Sequence, residues 1–110
     1  MKIYLCNVFT AAMLDNSRLH SMLFEPISEA QAKEQLANGF EQAVGHPATC
    51  EVLTARLGVD VQPVRANVRL NSDDLLIAAQ VVVPRLAEGE VLSKEQIEAL
   101  PLSFWLVREL

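Results

Sequence analysis

At 110 residues the chain has room for one hydrophobic core and one type of site, not for a catalytic domain beside a separate recognition domain. Half of it is apolar but only 5% is aromatic, so the core is expected to be aliphatic and the stacking platforms of single-strand nucleic-acid binders are scarce. Nine Lys and Arg against fourteen Asp and Glu give a net charge of −5, which argues against a protein that tracks a long phosphate backbone.

In chain order, Lys2 to Phe9 carries strand-type residues and reads as a first β-strand. Asn7 interrupts the opening apolar run and no basic segment follows Lys2, which argues against a signal peptide or membrane span. Ala11 to Leu14 makes a turn, and a second strand is expected around Ser21 to Phe24, with Pro26 breaking its pairing. Ser28 with Gln31 is a capping-box pattern opening a short helix over Glu29 to Leu36, stopped by Gly39. Glu41 to Val44 leads extended into a second helix, whose first position suits Pro47 and whose cap falls on His46, with Gly58 as its stop. Val64 to Leu70 and Leu75 to Val83 have strand character, and the polar Asn71, Ser72, Asp73 and Asp74 between them predict a hairpin. Ser93 with Gln96 caps a helix ending before Pro101, and Leu102 to Val107 reads as a closing strand. These elements predict a single α/β domain over residues 1–110, a small mixed β-sheet sandwiched with short helices.

Cys6 and Cys50 lack any CxxC pairing and are expected to be buried, reduced thiols of a cytoplasmic protein. His46 and Cys50 stand four apart on one helix, but no second ligand pair accompanies them, so no metal and no cofactor is expected. The start of the His46 helix is an anion site by virtue of its unpaired N–H groups, and an imidazole at its mouth is placed to give a proton to a phosphate ester oxygen. The alternative is a histidine that merely caps the helix. Gln80, polar within an apolar strand, either finds a buried partner or faces a cavity. Arg65 and Arg69 fit an exposed strand face, and Arg85 with Glu88 fits a solvated turn pair. The same residues also suit guanidinium forks on phosphate oxygens, with a carboxylate orienting an attacking hydroxyl or the imidazole.

Nearly the whole chain resembles the viral ring-nuclease family, the type III anti-CRISPR proteins that also occur in bacteria beside type III CRISPR systems. Asn7-Val8-Phe9-Thr10-Ala11-Ala12-Met13-Leu14 resembles the family's "NAFSxNML" segment, and Ala43-Val44-Gly45-His46-Pro47-Ala48-Thr49 its "NAIGHxST". Val64-Arg65 is similar to its "NR", Gln80 to Leu92 to its "QxxxRLxEGxxL", and Leu102-Ser103-Phe104-Trp105 to its closing "ISFY". The chain departs from the pattern at Ala12, Val64 and Ala43, where the family has asparagines.

The resemblance implies a two-fold homodimer that holds cyclic tetra-adenylate at the dimer interface and linearises it without metal, in the cytoplasm of a bacterial or archaeal host cell. His46 falls on the catalytic histidine and Glu88 on the assisting carboxylate. Gly45, Arg65, Gln80 and Arg85 fall on ligand-binding positions, and Asn7 and Thr10 in the loop that contacts the adenylates. The chemistry expected is attack of a ribose 2′-OH on the adjacent phosphorus, with His46 protonating the expelled 5′ oxygen. Two rival readings remain at this stage. One is a sponge that binds the ring without turnover, and the other a nucleic-acid-binding or structural accessory protein.

Overall fold

The computed structural model describes residues 1–82 and 87–110. Among the described residues five strands, β1 (Ile3–Cys6), β2 (Met22–Ile27), β3 (Glu41–Ala43), β4 (Leu75–Val81) and β5 (Leu102–Glu109), form one mixed sheet in the order β2-β5-β4-β1-β3. Three helices accompany them, α1 (Glu29–Leu36), α2 (Pro47–Leu57) and α3 (Lys94–Ala99), with a 3₁₀ turn at Ala11–Met13. β1 runs parallel to both β3 and β4, while β5 is antiparallel to β4 and β2.

The helices start where local chemistry puts them. The Ser28 hydroxyl accepts from the Gln31 N–H and the Gln31 side chain accepts from the Ser28 N–H, at 3.1 and 2.8 Å, and Ser93 and Gln96 repeat the arrangement at α3. Gly58 ends α2 in the left-handed conformation at φ 69°, which a glycine adopts without the Cβ penalty. At the end of α3, Arg56 donates to the carbonyls of Ile97 and Leu100 and reaches the Glu29 carboxylate, so one guanidinium joins all three helices.

Alternation along the strands sorts the core into two faces. Leu5, Ile77, Ala79, Phe104 and Leu106 point to the helices, where Ala32 and Leu36 of α1 and Cys50, Leu53 and Leu57 of α2 cover them. Cys6, Leu76, Ala78 and Val107 point to the opposite face, covered by Phe9, Met13 and Leu70 instead of helices. Among the described residues the sheet is therefore lined by the α-helices α1 and α2 on one side, with α3 packed on α2, while the other side has the short 3₁₀ turn at Met13 and no α-helix. Both cysteines are free and buried, and burial pushes the Cys6 thiol up to about 11 against a smaller opposing pull from the Val8 backbone.

Three expectations need correction. Residues 64–70 form no strand, and no hairpin joins them to β4, because β4 already has β1 on one side and β5 on the other. That segment is instead fastened at separate points: Val64 N–H donates to the Val44 carbonyl and Leu70 N–H to that of Met13, both at 2.9 Å. The polar turn before β4 serves the N-terminus, since the buried Asp74 carboxylate accepts from the N–H groups of Lys2 and Asn71. Nor does Pro26 break pairing. β2 is an edge strand in which Pro26 sits opposite Trp105, and an edge position tolerates a residue without an N–H.

Candidate functional site

Because β3, β1 and β4 are parallel neighbours, their carboxyl ends share one edge of the sheet, the place where open α/β sheets present their ligand crevices. Asn7 follows β1, Val44-Gly45-His46 follows β3, and Gln80 lies at the end of β4. The strands thus gather residues from three distant stretches of sequence onto that edge.

His46 occupies the N-cap of α2 with Pro47 in the first turn, as the sequence predicts. The Thr49 N–H donates to His46 Nδ1 at 3.4 Å, and the Thr49 hydroxyl lies 3.2 Å from the same nitrogen. A neutral ring that accepts at Nδ1 carries its proton on Nε2, and a protonated ring can turn Nδ1–H toward the hydroxyl oxygen. In both states Nε2 bears a hydrogen, and no described residue bonds it. The side chain is exposed at the point where the α2 N–H groups emerge.

Arg65 stands beside this start because Gly45 lets it approach. A Cβ at Gly45 would lie 2.9 Å from Arg65 Cγ, closer than side-chain carbons pack. The glycine thus brings the guanidinium stem against the residue that precedes His46.

Asn7 and Gln80 meet in a second part of the edge. Both line a cleft of 380 Å³ whose other walls include Phe9, Phe24 and Trp105, and Phe9 and Phe24 stack edge to face with centroids 5.3 Å apart. Gln80 is exposed, and its side-chain carbonyl accepts from the Ser103 hydroxyl at 3.0 Å. Of the two alternatives left open by the sequence it faces the cavity, and its partner Ser103 is exposed, not buried.

Thr10 and Glu88 are joined to these by no bond among the described residues. Thr10 caps the 3₁₀ turn without a side-chain bond and lines a separate groove with Asn67 and Arg69. Glu88 is exposed in a turn closed by Glu90 N–H on the Ala87 carbonyl, and no described bond links it to His46. Arg85 lies outside the described residues. Ser103 and the aromatic wall at Trp105 carry no local signal as site residues; only the pairing Gln80↔Ser103 and Ala78↔Trp105 brings them there. Among the described residues, no three His, Cys, Asp or Glu side chains come together as a metal would require, and no helix is long and apolar enough to cross a membrane.

A one-domain mixed α/β protein with a largely apolar cleft, edged by Asn7 and Gln80, at the carboxyl edge of its parallel strands is the class that this geometry defines. Residues 3–104 match the STIV B116-like family model, and the chain belongs to that family. B116 of Sulfolobus turreted icosahedral virus has the same fold, with a TM-score of 0.80 and 25% identity over 98% of this chain and 99% of that one. ORF117 of Acidianus two-tailed virus is 32% identical over 96% of this chain and 92% of its own length. Protein 26 of Sulfolobus islandicus filamentous virus (isolate Iceland/Hveragerdi) is 36% identical over 69% of this chain, which spans 65% of that relative.

Proposed function

We propose that the chain is a metal-independent ring nuclease that binds cyclic tetra-adenylate and cuts it to linear di-adenylates, switching off type III CRISPR effector signalling. The observation that carries this reading is the His46 cap: an Nε2–H at a helix start with Arg65 packed beside it. These are the positions that the ring-nuclease resemblance marks for catalysis and binding. In the proposed step the ribose 2′-O–H bond is broken with its proton passing to water, the 2′ oxygen attacks phosphorus, and the P–O5′ bond breaks to leave a 2′,3′-cyclic phosphate. His46 gives its proton to the departing 5′ oxygen, and Arg65 with the α2 N–H groups meets the phosphate charge. Asn7 and Gln80 contact the ring at the neighbouring cleft. Glu88 and Arg85 are the proposed carboxylate and second guanidinium, delivered from the segment after β4. A net charge of −5 leaves one chain poorly equipped for a tetra-anion, so a two-fold homodimer sharing one ring doubles the donors.

Incubation with cyclic tetra-adenylate in EDTA is expected to give di-adenylates that first end in 2′,3′-cyclic phosphate, and calorimetry one ring per two chains. Binding without product in the presence or absence of Mg²⁺ or Mn²⁺ would instead establish the sponge. Cleavage that disappears with chelator and returns with those ions would overturn the chemistry.

Gly45→Ala tests the close approach. The added methyl meets Arg65 Cγ at 2.9 Å, near the root of the side chain with the Arg65 backbone 3.8 Å away, so the Arg65 stem must shift and some thermal stability is expected to be lost as well. Ring affinity falls by about 1.5–3 kcal/mol, the scale of a bond to a charged group. Unchanged affinity in titration calorimetry would remove Arg65 from the binding site.

A further inference from the structure

Far from the candidate site, at the carboxyl end of β5, His20 is enclosed by groups that only accept hydrogen bonds. Its Nδ1 faces the Glu109 carboxylate and its Nε2 faces the Asp15 backbone carbonyl. Neither oxygen carries a hydrogen, so satisfying both requires an N–H on each ring nitrogen, and only the imidazolium has two. Glu109 is further engaged by Arg18, which donates to both carboxylate oxygens at 3.0 Å. The side chains of His20 and Glu109 are only 9% and 12% exposed.

We propose that His20 is a proton-operated clasp on the 15–20 loop at the end of β5, closed while the ring is an imidazolium and opened when it loses a proton, which loosens the loop to the hold of the Arg18–Glu109 bonds. The loop has a mechanical link to the sheet next to the clasp, where Leu110 N–H donates to the Ser21 carbonyl at 2.8 Å and Met22 pairs with Glu109. The charged groups facing the ring are Asp15, Arg18 and Glu109. Asp15 turns its carboxylate to the Ser17 N–H and offers the ring its carbonyl. The bond to that carbonyl, then the bond to Glu109, holds the ring protonated above the ordinary histidine range, against smaller opposing effects of burial first and Arg18 next. Glu109 is held below the usual carboxylate range by the His20 bond first and the Arg18 bonds next.

The sign follows. A histidine whose protonation is favoured by folding contributes its full stabilisation below the unfolded value of about 6.5 and loses it as pH rises through the higher folded value. The clasp therefore opens on the alkaline side of neutrality, not in acid.

Nitrogen-15 NMR of the wild-type His20 ring tests this without a substitution. Both nitrogens are expected to carry protons at pH 6.5, with a midpoint above about 6.5, and the Leu110 amide is expected to lose exchange protection through the same midpoint. Glu109→Gln removes the charge but keeps an acceptor, and is expected to move the midpoint down by about half a unit or more. A ring that titrates at or below about 6.5, or Leu110 protection indifferent to its titration, would overturn the clasp.

Discussion

Replacing His46 with alanine is expected to lower single-turnover cleavage of cyclic tetra-adenylate by about 10²–10⁴-fold while leaving ring binding nearly unchanged. That range corresponds to about 2.7–5.4 kcal/mol of transition-state stabilisation, because the ring's proton meets the 5′ oxygen only as the bond to phosphorus breaks. Alanine also removes the cap on the Thr49 N–H, a loss of about 0.5–2 kcal/mol in stability that has nothing to do with chemistry. His46→Asn separates the two effects, because asparagine is a good N-cap and no acid. It should melt like the wild type and cleave like the alanine variant. An asparagine variant that cleaves within about threefold of wild type would make His46 a structural cap and nothing more.

Leu53→Ala is expected to cost about 2–5 kcal/mol by denaturant unfolding, from lost burial and the cavity left behind. Leu53 is fully buried in the face of α2 that packs on the sheet, within the cluster that holds Leu5, Ile77 and Phe104. A domain of this size has about 5–15 kcal/mol in total, so the variant approaches marginal stability. The contrast with His46→Asn is informative: one should unfold early with its chemistry intact in the folded fraction, the other should fold normally without chemistry. A Leu53→Ala loss below about 1 kcal/mol would mean that α2 is not anchored where its buried face indicates.

Features set by neighbours in sequence were legible before the structure. The bounds of α2 rest on Pro47 at the first position, His46 before it and Gly58 at the end, all close together in sequence. The two capping boxes are equally local, with each bond spanning three residues. Residues 64–70 misled because strand-type side chains say nothing about whether a sheet edge is free, and here both sides of β4 are taken. Asp74 read as a turn former, yet its partner Lys2 is 72 residues away. The candidate site divides in the same manner. Gly45 and His46 were visible as consecutive residues at a helix start, whereas the Ser103 bond to Gln80 and the Trp105 wall exist only through pairing of β4 with β5.

The placement of β1 has a consequence for how the chain reaches this state. β1 occupies the interior of the sheet, but of its two neighbours β3 offers three residues, Glu41–Ala43, and β4 begins only at Leu75. During synthesis Ile3 to Cys6 must therefore wait, apolar and with one edge open, until Leu75 to Val81 have left the ribosome. Ordering that interior strand closes a loop of most of the molecule, which places the fold among the slower, high-contact-order topologies. The vulnerable species is the nascent chain ending before β4, whose exposed strand edge is a template for pairing with another copy of itself.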